Sequence, residues 1–502
     1  MKNTIIAPPW VRWSATVAKC VLALALSGTA SAAWAAISVT TLNDTGPGSL
    51  RQAIADALPG DMITFSVHGT ITLTSGALMI GKNLEIQGPG SYRLRISGNR
   101  ASRVFVLQPN TSVTLAGMTI SDGLTNGDSP LIPSIGGGIL NGAPPVNLAT
   151  NLILSNVVIS GNQALGDPSK SPLTYPGAAY GGGVANFGTM SIKDSSFTGN
   201  LARGADGISS STVAGFGAAG GIFSSGKLTI IDSRFTQNQA IGGNNSSSTY
   251  LTGHGFGGAI VGGGATGDLA VQDSEFDHNQ AIGGNGNVSP KPATVGANKA
   301  SGGAVDVVGG KATFDRCILR HNLSVGGAGA SGADGGIGSG GAILATNFSG
   351  ANTNLTVSNS RIEHNTARGG PGSAGRDGGE GSGGGLTSTA DATLTVISTA
   401  VAHNHAKGGQ AGEGGNGGNG LGGGLYDNYD FTSPPTIPGP TVLVLQDAIV
   451  TKNLALGGDA ETGGIDGQGI GGGVYYLGTF NFDPGTVIEK NQASTSNDDV
   501  GP

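Results

Sequence analysis

Four histidines hold equivalent positions in the chain, and their side chains are the first candidates for chemistry. Each directly precedes an asparagine, and successive members are 43, 43 and 39 residues apart. They are His278, His321, His364 and His403. Stacked imidazoles can bind a metal ion or respond to pH between about 5 and 8. A zinc site needs ligands that converge on one point, whereas a column spreads its ligands along a line.

The same position also holds residues without such chemistry, which favours a simpler interpretation. Gly199, Gln237 and Lys452 occupy it in other repeats, as expected of an exposed turn that tolerates many side chains. The sequence therefore predicts a turn without a metal ion or cofactor. A functional role for these four residues, named here the histidine column, is the secondary hypothesis.

Nine asparagines mark the repeat, at intervals of 38 to 49 residues. They are Asn162, Asn200, Asn238, Asn279, Asn322, Asn365, Asn404, Asn453 and Asn491. An apolar residue stands three positions before each asparagine, and this alternation is typical of a strand with one buried face. Like residues in stacked coils lie about 4.8 Å apart. The sequence therefore predicts a structural asparagine ladder, in which the side chains bridge the backbones of successive turns.

Each repeat is predicted to contain three short strands. Two precede the asparagine, as in Leu228–Ala240, and the third follows a glycine cluster such as Gly257–Ile260. Strands this short cannot bury their apolar faces alone, but stacked coils form a continuous core. Parallel crossovers are right-handed in about 98% of cases. We therefore predict an all-β, single-stranded, right-handed parallel β-helix.

Long glycine-rich segments lie between the asparagine and the next glycine cluster, as in Ala367–Gly385 and Ala406–Gly424. Because they always fall at the same point of the repeat, they are predicted to project from one side of the solenoid. They contain few aromatic or charged residues. The composition favours solvated cover, and a recognition surface is the alternative.

The chain is predicted to have four parts. Residues 1–35 carry positive charge, a short apolar run and then small residues, which is the pattern of a secretory signal peptide. Export to the extracellular space or cell surface, or to the periplasm, is therefore expected. Residues 36–110 are predicted to form a cap and the first coils, residues 111–493 the repeats, and residues 494–502 a tail. Within the cap, Ser49–Leu58 predicts a short helix that covers the open end of the solenoid.

Composition excludes several classes of function. The formal net charge is −7, and the absence of a basic patch argues against nucleic-acid partners. After the first 35 residues no apolar run approaches the roughly 20 residues of a membrane span. Cys317 would be the one cysteine left after signal cleavage, so an intrachain disulfide is not expected. A monomer is expected.

The segment Val39–Ile54 and the recurring pattern S-x-F-x-x-N resemble a large bacterial group of secreted parallel β-helix proteins. This group is related to polymorphic outer-membrane proteins and adhesin-like passengers, and its entry motif SLR[EQ]AI is matched by Ser49–Ile54. The closing residues Ser496–Val500 also resemble the group's last coil. The resemblance covers nearly the whole chain after residue 35. It implies a fold but no particular activity.

Signals for catalysis are weak in the sequence. Gly253-His254-Gly255 has the form of a motif in β-helical pectin hydrolases, which also need paired aspartates and an Arg-x-Lys clamp. The repeats contain no Arg-x-Lys, and the pair Asp498-Asp499 falls in a tail expected to be disordered. The sequence therefore favours an exported, non-catalytic structural or adhesive protein that binds glycans or host-cell components. The alternative is a polysaccharide lyase or glycoside hydrolase on a pectin-lyase-like scaffold.

Overall fold

The computed structural model describes residues 36–127, 133–142, 149–170, 175–264, 267–289, 297–347, 352–428 and 441–502. The predicted signal peptide, residues 1–35, lies outside these ranges. Residues 36–502 form one compact unit. It contains the helix Leu50–Asp56 and a 3₁₀ turn at Pro168–Lys170. No helix among the described residues has the length and apolar character needed to cross a membrane.

The unit is a right-handed parallel β-helix, which confirms the predicted fold class. Five parallel sheets run along it, and the chain visits them in a fixed order within each coil. The first sheet contains Ala36–Val39, Met62–Phe65, Leu84–Gln87, Ser112–Ala116, Asn151–Ser155, Thr189–Lys193, Leu228–Ile231, Leu269–Gln272, Gly310–Asp315, Thr353–Ser358, Ala392–Ile397, Val442–Gln446 and Thr479–Phe482. The second contains Gly69–Thr72, Leu94–Ser97, Thr119–Ser121, Val158–Ser160, Ser196–Thr198, Arg234–Thr236, Glu275–Asp277, Ile318–Arg320, Arg361–Glu363, Ala400–Ala402, Ile449–Thr451 and Val487–Glu489.

The remaining sheets complete the coil. The third contains Leu124–Thr125, Gln163–Leu165, Leu201–Arg203, Gln239–Ile241, Gln280–Ile282, Leu323–Val325, Thr366–Arg368, His405–Lys407, Leu454–Leu456 and Gln492–Ala493. The fourth contains Ser134–Ile135, Ala179–Tyr180, Gly217–Ala218, Gly255–Phe256, Ala300–Ser301, Gly338–Ser339, Gly381–Ser382, Gly420–Leu421 and Gly469–Ile470. The fifth contains Leu78–Ile80, Phe105–Leu107, Ile139–Asn141, Val184–Asn186, Ile222–Ser224, Ile260–Gly262, Val305–Val308, Ile343–Thr346, Leu386–Thr389, Leu425–Asn428, Val474–Tyr476 and Val500–Gly501. Ser209–Ser210 pairs with Ser247–Ser248, and Val213–Ala214 pairs with Leu251–Thr252.

The three strands that the sequence predicts in each coil belong to the first, second and fifth sheets. The third and fourth sheets are additional, and their strands are two or three residues long. They flank the glycine-rich segment, one on each side of it. The alternation signal is too short in these strands for a sequence pattern to reveal them.

The core is a stack of like side chains. Phe197, Phe235 and Phe276 are fully buried, and neighbouring rings stack with centroids 4.8 Å apart. Phe276 then meets Phe314 edge-on, at 6.1 Å. Because each ring packs against the coil before and the coil after, the core is continuous along the axis.

Both ends of the solenoid are closed. At the beginning, the Ser49 hydroxyl accepts a hydrogen bond from the Gln52 amide, and the helix adds Leu50 and Ile54 to the core. At the end, Asp499 Oδ1 accepts from both the backbone and side-chain nitrogens of Asn491, at 3.1 and 2.9 Å. The final residues therefore complete the last coil, as the resemblance implied, and the expected disorder at Asp498-Asp499 was wrong.

The glycine-rich segments pack on one another through their backbones. An unbroken series of hydrogen bonds crosses successive coils, with each amide donating to the next carbonyl at 2.8 or 2.9 Å. It runs through Gly467, Gly458, Gly418, Gly409, Gly379, Gly370, Gly336 and Gly327. A Cβ at Gly409 would overlap the carbonyl oxygen of Gly370, so this glycine lattice excludes any larger residue.

A substitution inside the glycine lattice should open it locally. We expect Gly409→Ala to make the loop between Lys407 and Gly420 sensitive to limited proteolysis, because overpacking typically costs about 1–3 kcal/mol. Gly199→Gln is the matched control, since nothing lies within 4 Å of a Cβ there and Gln237 adopts the same positive φ at the equivalent turn. Equal protease resistance in the two variants would show that the lattice is not tightly packed.

Removal of one stacked ring should destabilise neighbouring coils first. We expect Phe235→Ala to cost about 3–5 kcal/mol and to reduce hydrogen-exchange protection between Asn200 and Asn279. Coils beyond Asn404 should keep theirs, because solenoid coupling is mainly between neighbours. Thr229→Ala is the control, since its partner in the next coil is already Ala270. A uniform loss along the chain would contradict the local model of coupling.

Candidate functional site

The asparagine ladder fixes where each outward side chain lies. Asn279 donates from its backbone nitrogen and from Nδ2 to the single oxygen Asn322 Oδ1, both at 3.0 Å. The same Nδ2 also donates to the Phe235 carbonyl at 2.9 Å. One side chain thus links three coils. With one such bridge in every repeat, residues at the same register position are held at the same place on successive turns.

The histidine column lies beside this ladder, at the turn between the second and third sheets. Its four residues have φ between 54° and 58°, a left-handed conformation that Gly199, Gln237 and Lys452 share at their positions. The imidazole rings stack with centroids 4.7, 5.5 and 4.9 Å apart. The position is therefore a left-handed turn, as the simpler interpretation holds, but the rings form one continuous row.

Two of these imidazoles also converge on one carboxylate. His278 Nδ1 lies 2.7 Å and His321 Nδ1 lies 3.1 Å from the same oxygen, Asp277 Oδ1. Asp277 is the last residue of its strand, and its side chain is only 12% exposed. Sequence spacing gave no sign of this convergence, because Asp277 and His321 are 44 residues apart.

Acidic and basic side chains cluster on the outer face of the second sheet. Glu275 Oε1 lies 3.1 Å from Arg234 Nη2 and 2.7 Å from Arg320 Nη2. Asp277 Oδ2 lies 3.8 and 3.5 Å from the same two nitrogens. Two coils beyond Asp277, Arg361 Nη2 binds Glu363 Oε2 at 2.7 Å. These residues alternate with the inward apolar residues of each strand, as Glu275 and Asp277 do on either side of the buried Phe276.

We call this surface the outer-face patch. Its members are Arg234, Glu275, Asp277, Arg320, Arg361, Glu363 and the four residues of the histidine column. Partial burial tends to raise the pKa of Asp277, but the hydrogen bond from His321 and the charges of His278 and Arg320 outweigh it. The pKa of Asp277 is therefore below its usual value. Asp277 is a carboxylate at neutral pH, available as a hydrogen-bond acceptor or a ligand.

A groove borders the patch on the side away from the histidines. Asp194, Asp232 and Asp273 line it at the turn between the first and second sheets, together with Arg316. Arg316 Nε donates to Asp273 Oδ1 at 2.7 Å. Because acidic groups prevail in the groove, the two margins of the second sheet differ in charge.

The other catalytic candidate from the sequence lies apart from this patch. His254 is 2% exposed and packs between the rings of Phe216 and Phe256, with centroids 5.4 and 5.3 Å away. It belongs to a small apolar cluster beside the fourth sheet. The structure thus gives His254 a packing role.

Among the comparisons with known proteins, only the comparison with solved structures found similar chains. The chain matches no protein-family model and no curated protein sequence. It is similar to an alginate lyase from Paenibacillus sp. str. FPU-7, with 14% identity over 72% of this chain and 93% of that one, at a TM-score of 0.32. It is also similar to the catalytic domain of a GH87 α-1,3-glucanase in complex with nigerose, with 10% identity over 89% and 69% of the two chains and a TM-score of 0.36.

A third similar structure is tailspike protein 3 of bacteriophage CBA120, with 10% identity, a TM-score of 0.32, and coverage of 82% of this chain and 56% of that one. The lyase and the glucanase are named as enzymes, which contradicts the expectation of a non-catalytic adhesive protein. Similarity at this level is one of fold. The activity is therefore argued below from the residues of this chain.

Proposed function

We propose that this protein cleaves an anionic polysaccharide on the outer-face patch. The observation that carries the proposal is the row of arginines and imidazoles on consecutive coils. An extended polymer that crosses the coils would meet charged side chains and imidazoles at successive turns. Such an open linear surface suits an endo-acting enzyme better than a small closed pocket would.

The arginines supply recognition of negative charge. Arg234, Arg320 and Arg361 have side chains that are 51%, 36% and 61% exposed. A guanidinium binds a carboxylate through two parallel hydrogen bonds, so it favours uronate sugars over neutral ones. The carboxylates of Glu275 and Glu363 hold these side chains in place on the sheet.

The histidine column supplies a base. Partial burial, followed by the charges of His364 and Lys452, lowers the pKa of His403. A lowered pKa leaves more of this imidazole neutral at pH 7, and a neutral imidazole accepts a proton. Arg361 lies one coil away, since its partner in the neighbouring strand is Ala400. A cation and a neutral base are thus available on adjacent turns.

This pairing suits β-elimination on a uronate. The arginine would stabilise the charge that develops on the sugar carboxylate, and His403 would take the proton from the adjacent carbon. The electron pair then forms a carbon–carbon double bond as the glycosidic carbon–oxygen bond breaks. The leaving oxygen gains a proton from water, and the new chain end is an unsaturated sugar.

Hydrolysis fits the patch less well. A glycoside hydrolase needs one carboxyl group that stays protonated near neutral pH, but the pKa of Asp277 is lowered by its neighbours. Among the described carboxyl groups, burial raises the pKa of Asp306 and of Asp427 to about 6. Both belong to the fifth sheet and are almost completely buried, so they cannot reach a polysaccharide.

The setting of the enzyme is part of the proposal. Export rests on the signal-peptide pattern of residues 1–35, and kinship with bacterial passenger proteins rests on the motif Ser49–Ile54. We further propose that the protein acts as a monomer. Its partner would then be a glycan.

Activity should depend on His403 and on a uronate substrate. We expect the full chain to release unsaturated products from alginate or polygalacturonate, detected by ultraviolet absorbance, and none from a neutral glucan. His403→Gln should lower the rate at least about 100-fold, the lower limit for loss of a general base.

His68→Gln, on an exposed residue of the first coils, is the control and should keep full activity. New reducing ends without ultraviolet absorbance would indicate hydrolysis instead. Equal rates for the two variants, or no turnover of any uronate polymer, would refute the assignment of this patch.

A further inference from the structure

We infer that Asp277, His278 and His321 form a binding site for a divalent transition-metal ion. These three residues come from two adjacent coils, and their ligand atoms all lie within 4.8 Å of one another. The site lies in the outer-face patch, but the inference does not depend on the proposed cleavage reaction. It concerns binding of an ion by the chain without substrate.

A column of histidines spreads its ligands along a line, but His278 and His321 converge because both approach the same carboxylate. The rings of His278 and His321 are inclined by 30° to each other, more than the 17° and 9° of the next two pairs. Both rings turn an Nδ1 atom toward Asp277 Oδ1. Adjacent ligand atoms around tetrahedral zinc are about 3.3 Å apart, given metal–ligand bonds of about 2.0–2.1 Å. The present distances of 2.7 and 3.1 Å would widen by about 0.6 and about 0.2 Å to reach that spacing.

The surroundings hold the carboxylate in a ligating orientation. Arg234 and Arg320 lie on the Oδ2 side of Asp277 and leave Oδ1 to the two imidazoles. Outer-shell partners orient metal-binding carboxylates in many proteins, and here the two arginines do so as ion pairs. The charge of the two guanidinium groups is balanced by Glu275 together with Asp277, so the nearby arginines do not leave a net repulsion for a cation.

The backbone also fixes the two histidines. Both adopt left-handed φ values, 56° for His278 and 54° for His321, and each is followed by a buried asparagine of the ladder. The imidazoles are 57% and 40% exposed, so an ion can enter from solvent. Three protein ligands on one side leave positions open for water, an arrangement typical of reactive zinc sites and not of closed structural ones.

The ligand set selects the kind of ion. Two imidazoles and one carboxylate suit zinc, cobalt, nickel or iron(II), whereas calcium prefers six to eight oxygen ligands. The neighbouring pair His364 and His403 has the same stack, but its strand ends are Glu363, bound to Arg361, and Ala402. Among the described residues, the cluster of Asp277, His278 and His321 is the one that combines three such ligand atoms.

Metal titration of the full chain tests the site directly. After chelator treatment and dialysis, isothermal titration with Zn²⁺ should show one site per chain, and Co²⁺ should give the visible absorption of a tetrahedral or five-coordinate complex. Ca²⁺ should bind at least about 100-fold more weakly.

Variants separate this site from the rest of the column. Asp277→Asn, His278→Gln and His321→Gln should each weaken Zn²⁺ binding at least about 10-fold. Glutamine already stands at the equivalent turn as Gln237, with φ 56°, so both histidine variants should fold, which thermal unfolding checks. His403→Gln is the control and should keep the wild-type affinity.

Two results would overturn the inference. One is the absence of Zn²⁺ binding by the wild-type chain. The other is an equal loss in His403→Gln and His278→Gln, which would place the ion on the stacked imidazoles without Asp277. Neither readout uses catalysis, so failure of the proposed polysaccharide cleavage would leave this test unaffected.

Discussion

The structure depends on one repeated interaction, in which a single asparagine oxygen accepts two hydrogen bonds from the asparagine one coil earlier. Among the described residues, eight asparagines accept in this way. All nine members of the ladder are buried, and none is more than 4% exposed. A buried polar group left without a partner costs about 1–3 kcal/mol, so one missing member would leave unsatisfied groups in the coils on both sides. The ladder therefore sets the register of each coil, and the register sets which outward side chains become neighbours.

The glycine-rich segments also connect successive coils by hydrogen bonds, at the part of each coil that follows the asparagine and the third sheet. The long segments form the glycine lattice, where close backbone approach replaces side-chain packing. Neither of the two alternatives considered for them anticipated this arrangement. The lattice explains how insertions of variable length remain compatible with a regular solenoid, since carbonyl and amide groups of successive insertions satisfy one another.

The parts of the structure that repeat inward were accessible to sequence reasoning. Asn238, Phe235 and the strand Arg234–Thr236 lie in the predicted register because burial imposes a period on the sequence. Of the outer-face patch, only the histidine column was accessible in this way. Asp277 and His321 come together only through coil stacking, and the charged outward residues differ from repeat to repeat, so no period marks the carboxylates and guanidinium groups of the patch. The third and fourth sheets were not predicted from the sequence, because strands of two or three residues are too short to show an alternating pattern.

The proposed polysaccharide and metal sites share one face of the second sheet, whereas His254 and the glycine lattice have packing roles. A crystal structure of the chain with a bound oligouronate tests this placement most directly. The account predicts sugar density across the coils of the second sheet, with carboxylates facing Arg234 or Arg361 and a ring within reach of His403. Sugar density over the glycine lattice, with the outer-face patch empty, would contradict it.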